Sequence, residues 1–176
     1  GKQSDGATPA NTGNYVTGLD NKTWDAGKVV SGRAATEDQL KQALAGQTDT
    51  GLKFNANVGG VKTNKLGSTI TVQGEGKADD ADYSGENIKT FINQDNDGNT
   101  IINVRLAKNL KGLDSITFNN GTNGANGKTV VNGEGMTVQD KDGNPLTAVT
   151  KDGVKITNGP SMTKDGIDAA GNKITN

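Results

Sequence analysis

The chain contains no cysteine and no histidine. Without cysteine there is no disulfide framework, no thiolate metal site and no cysteine nucleophile. Without histidine there is no Ser-His-Asp triad, no imidazole base and no His-bearing zinc site. Aromatic residues are scarce too: one Trp, two Tyr and three Phe. No stretch approaches the ~20 apolar residues of a membrane-spanning helix. Leu, Ile, Val and Phe fill only 33 of 176 positions, just under the roughly 20% below which chains tend towards disorder. Disorder also calls for a large net charge, and 19 basic against 20 acidic residues leave −1. That balance, with Lys and Arg scattered, argues against a nucleic-acid partner.

What fills the sequence instead is Gly (26), Asn (21) and Thr (21). Such a chain is polar, turn-rich and β-prone, with too few large side chains for a generous core of its own. An extended repetitive fold is expected, or a subunit that completes its core in an oligomer. The start, Gly1-Lys2-Gln3-Ser4, has neither an initiator Met nor a signal peptide and reads as a piece of a longer chain. The absence of cysteine fits an exported bacterial surface protein.

Residues 1–14 are small and polar and read as a frayed lead-in. Tyr15-Val16-Thr17 and Lys28-Val29-Val30 are short strand candidates, with Trp24 between them. A helix is expected over 37–45. Thr36 can cap it, Gln39 stands at the capping-box spacing, Glu37 and Asp38 suit the helix dipole, and Gly46 stops it. Its apolar stripe, Leu40, Ala43 and Leu44, is a thin seam suited to two or three copies around a shared axis. So short a helix is marginal alone.

From Gly51 onward strands and turns are expected. Thr69-Ile70-Thr71-Val72 alternates with period two. Phe91-Ile92-Asn93-Gln94 and Thr100-Ile101-Ile102-Asn103-Val104 flank Asp95-Asn96-Asp97-Gly98-Asn99, a hairpin with turn residues that tolerate positive φ. Leu106, Leu110 and Leu113 predict a helical turn or a strand edge. After Ile116-Thr117-Phe118, the Asn- and Gly-rich 119–127 is a loop. The last third repeats itself: Thr150-Lys151-Asp152-Gly153-Val154 returns as Thr163-Lys164-Asp165-Gly166-Ile167, and Lys155-Ile156-Thr157-Asn158 as Lys173-Ile174-Thr175-Asn176. Short strands between Asp-Gly and Asn-Gly turns predict a stacked β-roll or prism whose units borrow core from their neighbours.

Several motifs invite chemistry. Asn93-x-Asp95-x-Asp97-Gly98 matches the first half of an EF-hand loop, but Val104 stands where the bidentate Glu belongs, so a plain hairpin turn is expected. Asp140-Lys141-Asp142-Gly143-Asn144 is a weaker version. Gly124-Ala125-Asn126-Gly127-Lys128-Thr129 lacks the first P-loop glycine, position 122 being Thr, and leads into a strand. Two sequons, at Asn21 and Asn120, are expected by chance. Asp79-Asp80-Ala81-Asp82-Tyr83 is the densest acidic run. It reads either as a solvated loop or, repeated around an oligomer axis, as an acidic patch for a basic or polyhydroxylated partner. The lone Trp24 suits a core or interface before a ligand platform.

Three blocks resemble a known family. Tyr15-Val16-Thr17-Gly18-Leu19-Asp20-Asn21-Lys22-Thr23-Trp24 resembles the tail of a Trp-ring domain. Ser31-Gly32-Arg33-Ala34-Ala35-Thr36-Glu37-Asp38-Gln39-Leu40-Lys41 resembles the neck that follows it. Asp142-Gly143-Asn144, the Thr150 to Val154 block, Asn158-Gly159-Pro160-Ser161 and the run from Gly166 to Asn176 resemble the close of a further head repeat. The family is the trimeric autotransporter adhesins, above all the head (passenger) regions of the Hia-like adhesins of Haemophilus. The resemblance implies a mainly β, intertwined homotrimer of β-prism or β-roll heads with one short helical neck per chain. It divides the sequence into a Trp-ring-like end (1–30), a neck (31–50), a β head (51–120) and a second repeat-type β head (121–176). It puts Trp24, Leu40 and Leu44 at the trimer axis.

The implied function is adhesion without catalysis, by a virulence-associated protein held at the bacterial surface through an outer-membrane anchor that this fragment does not include. The expected partners are two further copies of the chain and a host-cell surface receptor or extracellular matrix component. No nucleic acid, membrane contact by this fragment, cofactor or metal is expected. The receptor-binding candidates are Asp79, Asp80, Ala81, Asp82 and Tyr83. Alternatives are a non-adhesive spacer of the same adhesin and, more distantly, a glycan-active β-solenoid enzyme, which would need a carboxylate pair and aromatic platforms not visible here.

Overall fold

In a computed structural model describing residues 14–176, the chain divides into two units, 1–76 and 77–176. The lead-in expected over 1–14 lies, apart from Asn14, outside the described residues.

In the first unit a helix, α1, runs Glu37–Thr50. Its start follows the expected capping box. Thr36 Oγ1 accepts from the Gln39 N–H at 3.2 Å, and Gln39 Oε1 accepts from the Thr36 N–H at 3.3 Å. Its end does not follow the expectation. Gly46 lies inside the helix, and the helix runs on to Gly51, whose N–H donates to the Gln47 carbonyl. The Thr48 and Thr50 hydroxyls donate back to the Leu44 and Gly46 carbonyls, adding hydrogen bonds to the last turns. Gly51 has φ +50, and a Cβ there would run into the Asn64 carbonyl, so glycine is required on two counts. A small antiparallel hairpin follows, β1 (Leu52–Phe54) and β2 (Lys62–Asn64).

Three strand expectations fail in this unit. Residues 15–17 and 69–72 lie outside any strand. Neither segment has a neighbouring strand to complete its ladder among the described residues, and alternation alone cannot supply one. The 28–30 candidate overlaps a 3-10 turn, Ala26–Lys28, which the Asp25 side chain caps by accepting from the Gly27 N–H at 2.9 Å.

The second unit holds two antiparallel sheets. The expected hairpin pairs β3 (Ile88–Gln94) with β4 (Thr100–Leu106). The 106–113 segment is neither helical turn nor strand edge beyond Leu106. It is a loop tied down by Asn87, whose side chain donates to the Lys111 carbonyl and accepts from the Lys111 N–H, both at 2.9 Å. The larger sheet is a seven-stranded meander. Its strands are β5 (Ser115–Asn120), β6 (Gly127–Asn132), β7 (Gly135–Gln139), β8 (Pro145–Thr150), β9 (Gly153–Ile156), β10 (Ser161–Thr163) and β11 (Gly166–Asp168), each paired with the next. The 13-residue repeat corresponds to the β8–β9 and β10–β11 turns, which are built alike: the Asp152 and Asp165 N–H groups each donate to the threonine two residues before, at 3.2 Å. The second repeat is not structural, since 173–176 lies outside any strand.

Register gives the meander two unlike faces. Ile116, Val131, Met136, Val149, Val154, Met162 and Ile167 stand opposite one another in turn, one from each strand, as an unbroken apolar row. The adjacent row on the other face reads Thr117, Val130, Thr137, Ala148, Lys155, Ser161 and Asp168. Among the described residues nothing buries the apolar row: exposure runs from 38% at Met136 and Val149 to 72% at Ile167. Among the described residues no hydrophobic side chain is buried. The fold is thus mainly β, antiparallel, with one α-helix among the described residues.

Candidate functional site

The acidic run forms one turn of 3-10 helix, Asp80–Asp82. Backbone bonds from Asp82 N to the Asp79 carbonyl (2.8 Å) and from Tyr83 N to the Asp80 carbonyl (3.2 Å) close it. The Tyr83 hydroxyl accepts from the Ala78 N–H at 3.1 Å and so ties the turn's two ends together. The Asp79 side chain caps nothing. The structure therefore gathers Asp79, Asp80, Ala81, Asp82 and Tyr83 on one exposed turn, with the three carboxylates free of ion pairs among the described residues.

Leu40 and Leu44 project from α1 into solvent, 57% and 59% exposed. Trp24 is held beside the helix. Its backbone N–H donates to Gln42 Oε1 at 2.9 Å, and Gln42 Nε2 donates to the Lys22 carbonyl at 2.7 Å. A hollow of about 500 Å³ beside Trp24 is lined in part by Asp25, Lys28, Arg33 and Gln39.

What the sequence reading missed is the clamp that holds the Trp24 loop. Gln39, 7% exposed, is the one buried polar residue among those described. Besides closing the capping box, its side chain accepts from Asn21 Nδ2 at 2.7 Å and donates to the Thr23 carbonyl at 2.9 Å. Asn21 Nδ2 also reaches the Ala34 carbonyl at 2.8 Å, and Thr36 Oγ1 donates to the Asn21 carbonyl at 2.8 Å. Nothing local to Asn21 signals a partner 18 residues away.

Both Asp-x-Asp-Gly-Asn motifs are hairpin turns of one design. Asp95 Oδ1 accepts from the Asp97 and Asn99 N–H groups, both at 2.9 Å, and its other oxygen accepts from Asn99 Nδ2 at 3.0 Å. Asp140 repeats this with Asp142 and Asn144. These bonds hold both carboxyls below the usual aspartate range, led by the Asn99 side chain at Asp95 and the Asn144 backbone at Asp140. Backbone donors to Asp95 and Asp140 thus close each motif as a hairpin turn. Likewise, strand β6 and no helix follows the Gly124 to Thr129 motif, which leaves a phosphate without its cradle. No cluster of metal-ligating side chains occurs among the described residues.

No protein-family model matches the chain. It is similar to the trimeric autotransporter adhesin AtaA of Acinetobacter sp. (strain Tol 5), 28% identical over an alignment of 200 residues that takes in 77% of this chain and 6% of that protein. A solved structure of the AtaA C-terminal stalk fused to GCN4 adaptors is 23% identical, covering 85% of this chain and 33% of the other at a TM-score of 0.41. So low a TM-score does not establish a common fold. The chain spans only a small part of the curated relative it matches. The chain is thus similar to a short stretch of a trimeric autotransporter adhesin.

Proposed function

We propose that the chain is a homotrimeric segment of a bacterial surface adhesin that binds host cells without catalysis, through a site repeated three times. The observation that carries this reading is the uncovered apolar row from Ile116 to Ile167. Fully burying one such side chain gains ~1.5–3 kcal/mol. A single-layer sheet with one apolar face needs something of the same kind against it. Two further copies supply it, three sheets closing into a prism with their apolar faces inward. The seam of Leu40 and Leu44 on α1 suits the same symmetry, with Trp24 near the axis.

Within this reading, 1–30 is the Trp-ring-like end, 31–50 the neck, and 51–120 and 121–176 two β heads, after the pattern of the Hia-like adhesins of Haemophilus. The parent protein stands on the outer membrane, anchored by a part outside this segment, and serves in virulence. The receptor, a host-cell surface molecule or matrix component, meets the exposed turn of Asp79, Asp80, Ala81, Asp82 and Tyr83. Charge reversal of Asp79 and Asp82 to Lys tests that placement: host-cell adherence falls while the assembly keeps its mass. Unchanged adherence with an intact assembly removes the turn from the site. A spacer role is the second reading, favoured by the near-identical turns at 95–99 and 140–144, which repeat a purely architectural device.

A further inference from the structure

The β3–β4 hairpin also has two unlike faces. Ile88, Thr90 and Ile92 stand opposite Leu106, Val104 and Ile102 on one face. On the other, Lys89 stands directly opposite Arg105, and Phe91 opposite Asn103. The Arg105 guanidinium carbon lies 4.5 Å from the Phe91 ring centroid and Lys89 Nζ lies 5.9 Å from it. Two like charges directly across a strand pair destabilise it. No carboxylate answers them, for neither cation has an ion pair among the described residues. The Phe91 ring offsets part of the repulsion. A guanidinium held over a ring face keeps the edge donors with which it makes two parallel hydrogen bonds to an anion.

A hollow of about 360 Å³ opens beside these side chains at the open end of the hairpin, with Glu86 and Asn87 at its border. The Asn87 side chain is already engaged with Lys111. Glu86 brings a negative charge to a hollow that otherwise carries two positive ones. An acidic peptide segment offers that carboxylate few donors, whereas sugar hydroxyls donate to it. The mixture of a planar cationic fork, an apolar ring and a hydroxyl acceptor fits a saccharide bearing an anionic group. Ile88 and Leu106 also line the hollow, while Lys89, Phe91 and Arg105 stand on the other face of the hairpin.

We propose that Lys89, Phe91 and Arg105 form a binding site for an anionic saccharide, the carboxylate or sulfate on Arg105 and Lys89 and a sugar hydroxyl on Glu86. The surface-adhesin reading enters only in choosing saccharides as the source of the anion; the site itself rests on the hairpin.

The test is binding of the 176-residue protein to immobilised heparin, hyaluronan and neutral dextran at 50 and 300 mM NaCl, on samples whose mass is measured in parallel. Heparin carries sulfate and carboxylate and hyaluronan only carboxylate, so the two distinguish the anion. The expected result is binding to at least one of them and not to dextran, weakened by salt. Arg105→Gln weakens it about tenfold or more, and Lys89→Gln weakens it less. Arg105→Lys, which keeps the charge without the fork, falls between, and Lys164→Gln on the other sheet changes nothing. No binding to either polyanion at low salt overturns the proposal, as does Arg105→Gln binding like the unsubstituted protein or Lys164→Gln losing as much. A monomeric mass with Arg105-dependent binding leaves this site standing and removes the trimer.

Discussion

Met136 and Val149 stand directly opposite each other across β7 and β8, at the middle of the seven-residue apolar row. One residue along, Ala148 faces Thr137 and Lys155 on the polar side of the same sheet. Adjacent positions on one strand thus report on opposite faces. If the apolar row is the interface between copies, Val149→Asp buries an unpaired carboxylate there, at a cost of several kcal/mol. Sizing with light scattering then shows the assembly lost or aggregated. Ala148→Asp keeps the unsubstituted mass. Equal behaviour of the two variants means that the row is not an interface.

The Gln39 clamp makes a prediction about the first unit. Gln39→Ala removes the hydrogen bonds to Asn21, Thr23 and Thr36 together. At ~1 kcal/mol for each bond, the loss is roughly 2–3 kcal/mol. Gln39→Glu keeps the acceptor for Asn21 but sets a buried carboxylate oxygen against the Thr23 carbonyl, so it is destabilising too. Thermal melts followed by helical circular dichroism place both variants below the unsubstituted protein; a variant that melts with it removes the clamp.

Asp95 and Asp140 give the turns a pH dependence of known sign. Their carboxyls titrate below the ordinary aspartate value of 3.8. A depressed folded value means that the ionised turn contributes stability above about pH 3.8, lost as the pH falls through the folded value. The double variant Asp95→Asn/Asp140→Asn is therefore less stable than the unsubstituted protein at pH 6, and the gap closes as the pH falls from 4 to 2. Urea unfolding at a series of pH values measures it. A gap that stays constant over this window contradicts the ionised-turn geometry.

Two glycines behave oppositely. Gly153 has φ +126, and a Cβ there would meet the Met162 carbonyl, so Gly153→Ala costs on the order of 1–3 kcal/mol. Gly46 sits within α1 with open space around it, and Gly46→Ala gains about 1 kcal/mol. Chemical denaturation of both variants checks the pair. A destabilising Gly46→Ala would mean that the helix ends near 46 after all.

Local chemistry was legible in the sequence and pairing was not. The Thr36–Gln39 spacing and the Asp-Gly turns each depend on residues within five positions, and helix start and hairpins follow from them. The helix end was misplaced because Gly46 looks like a stop, while the hydroxyl bonds of Thr48 and Thr50 and the close approach of Asn64 to Gly51 show only in three dimensions. Thr69 to Val72 alternates as a strand should, yet a ladder needs a partner that alternation does not name. The apolar row consists of residues visible one by one, but only turn geometry sets the register that aligns them. Lys89 and Arg105 were likewise unremarkable until the β3–β4 register set them face to face.

On the reading proposed above, this chain completes its core with two further copies of itself. Light scattering behind a sizing column tests it most directly. The account predicts a mass near three times 18.1 kDa. A folded, stable species of 18.1 kDa would contradict it, because an apolar row stable in open water needs no partner sheets.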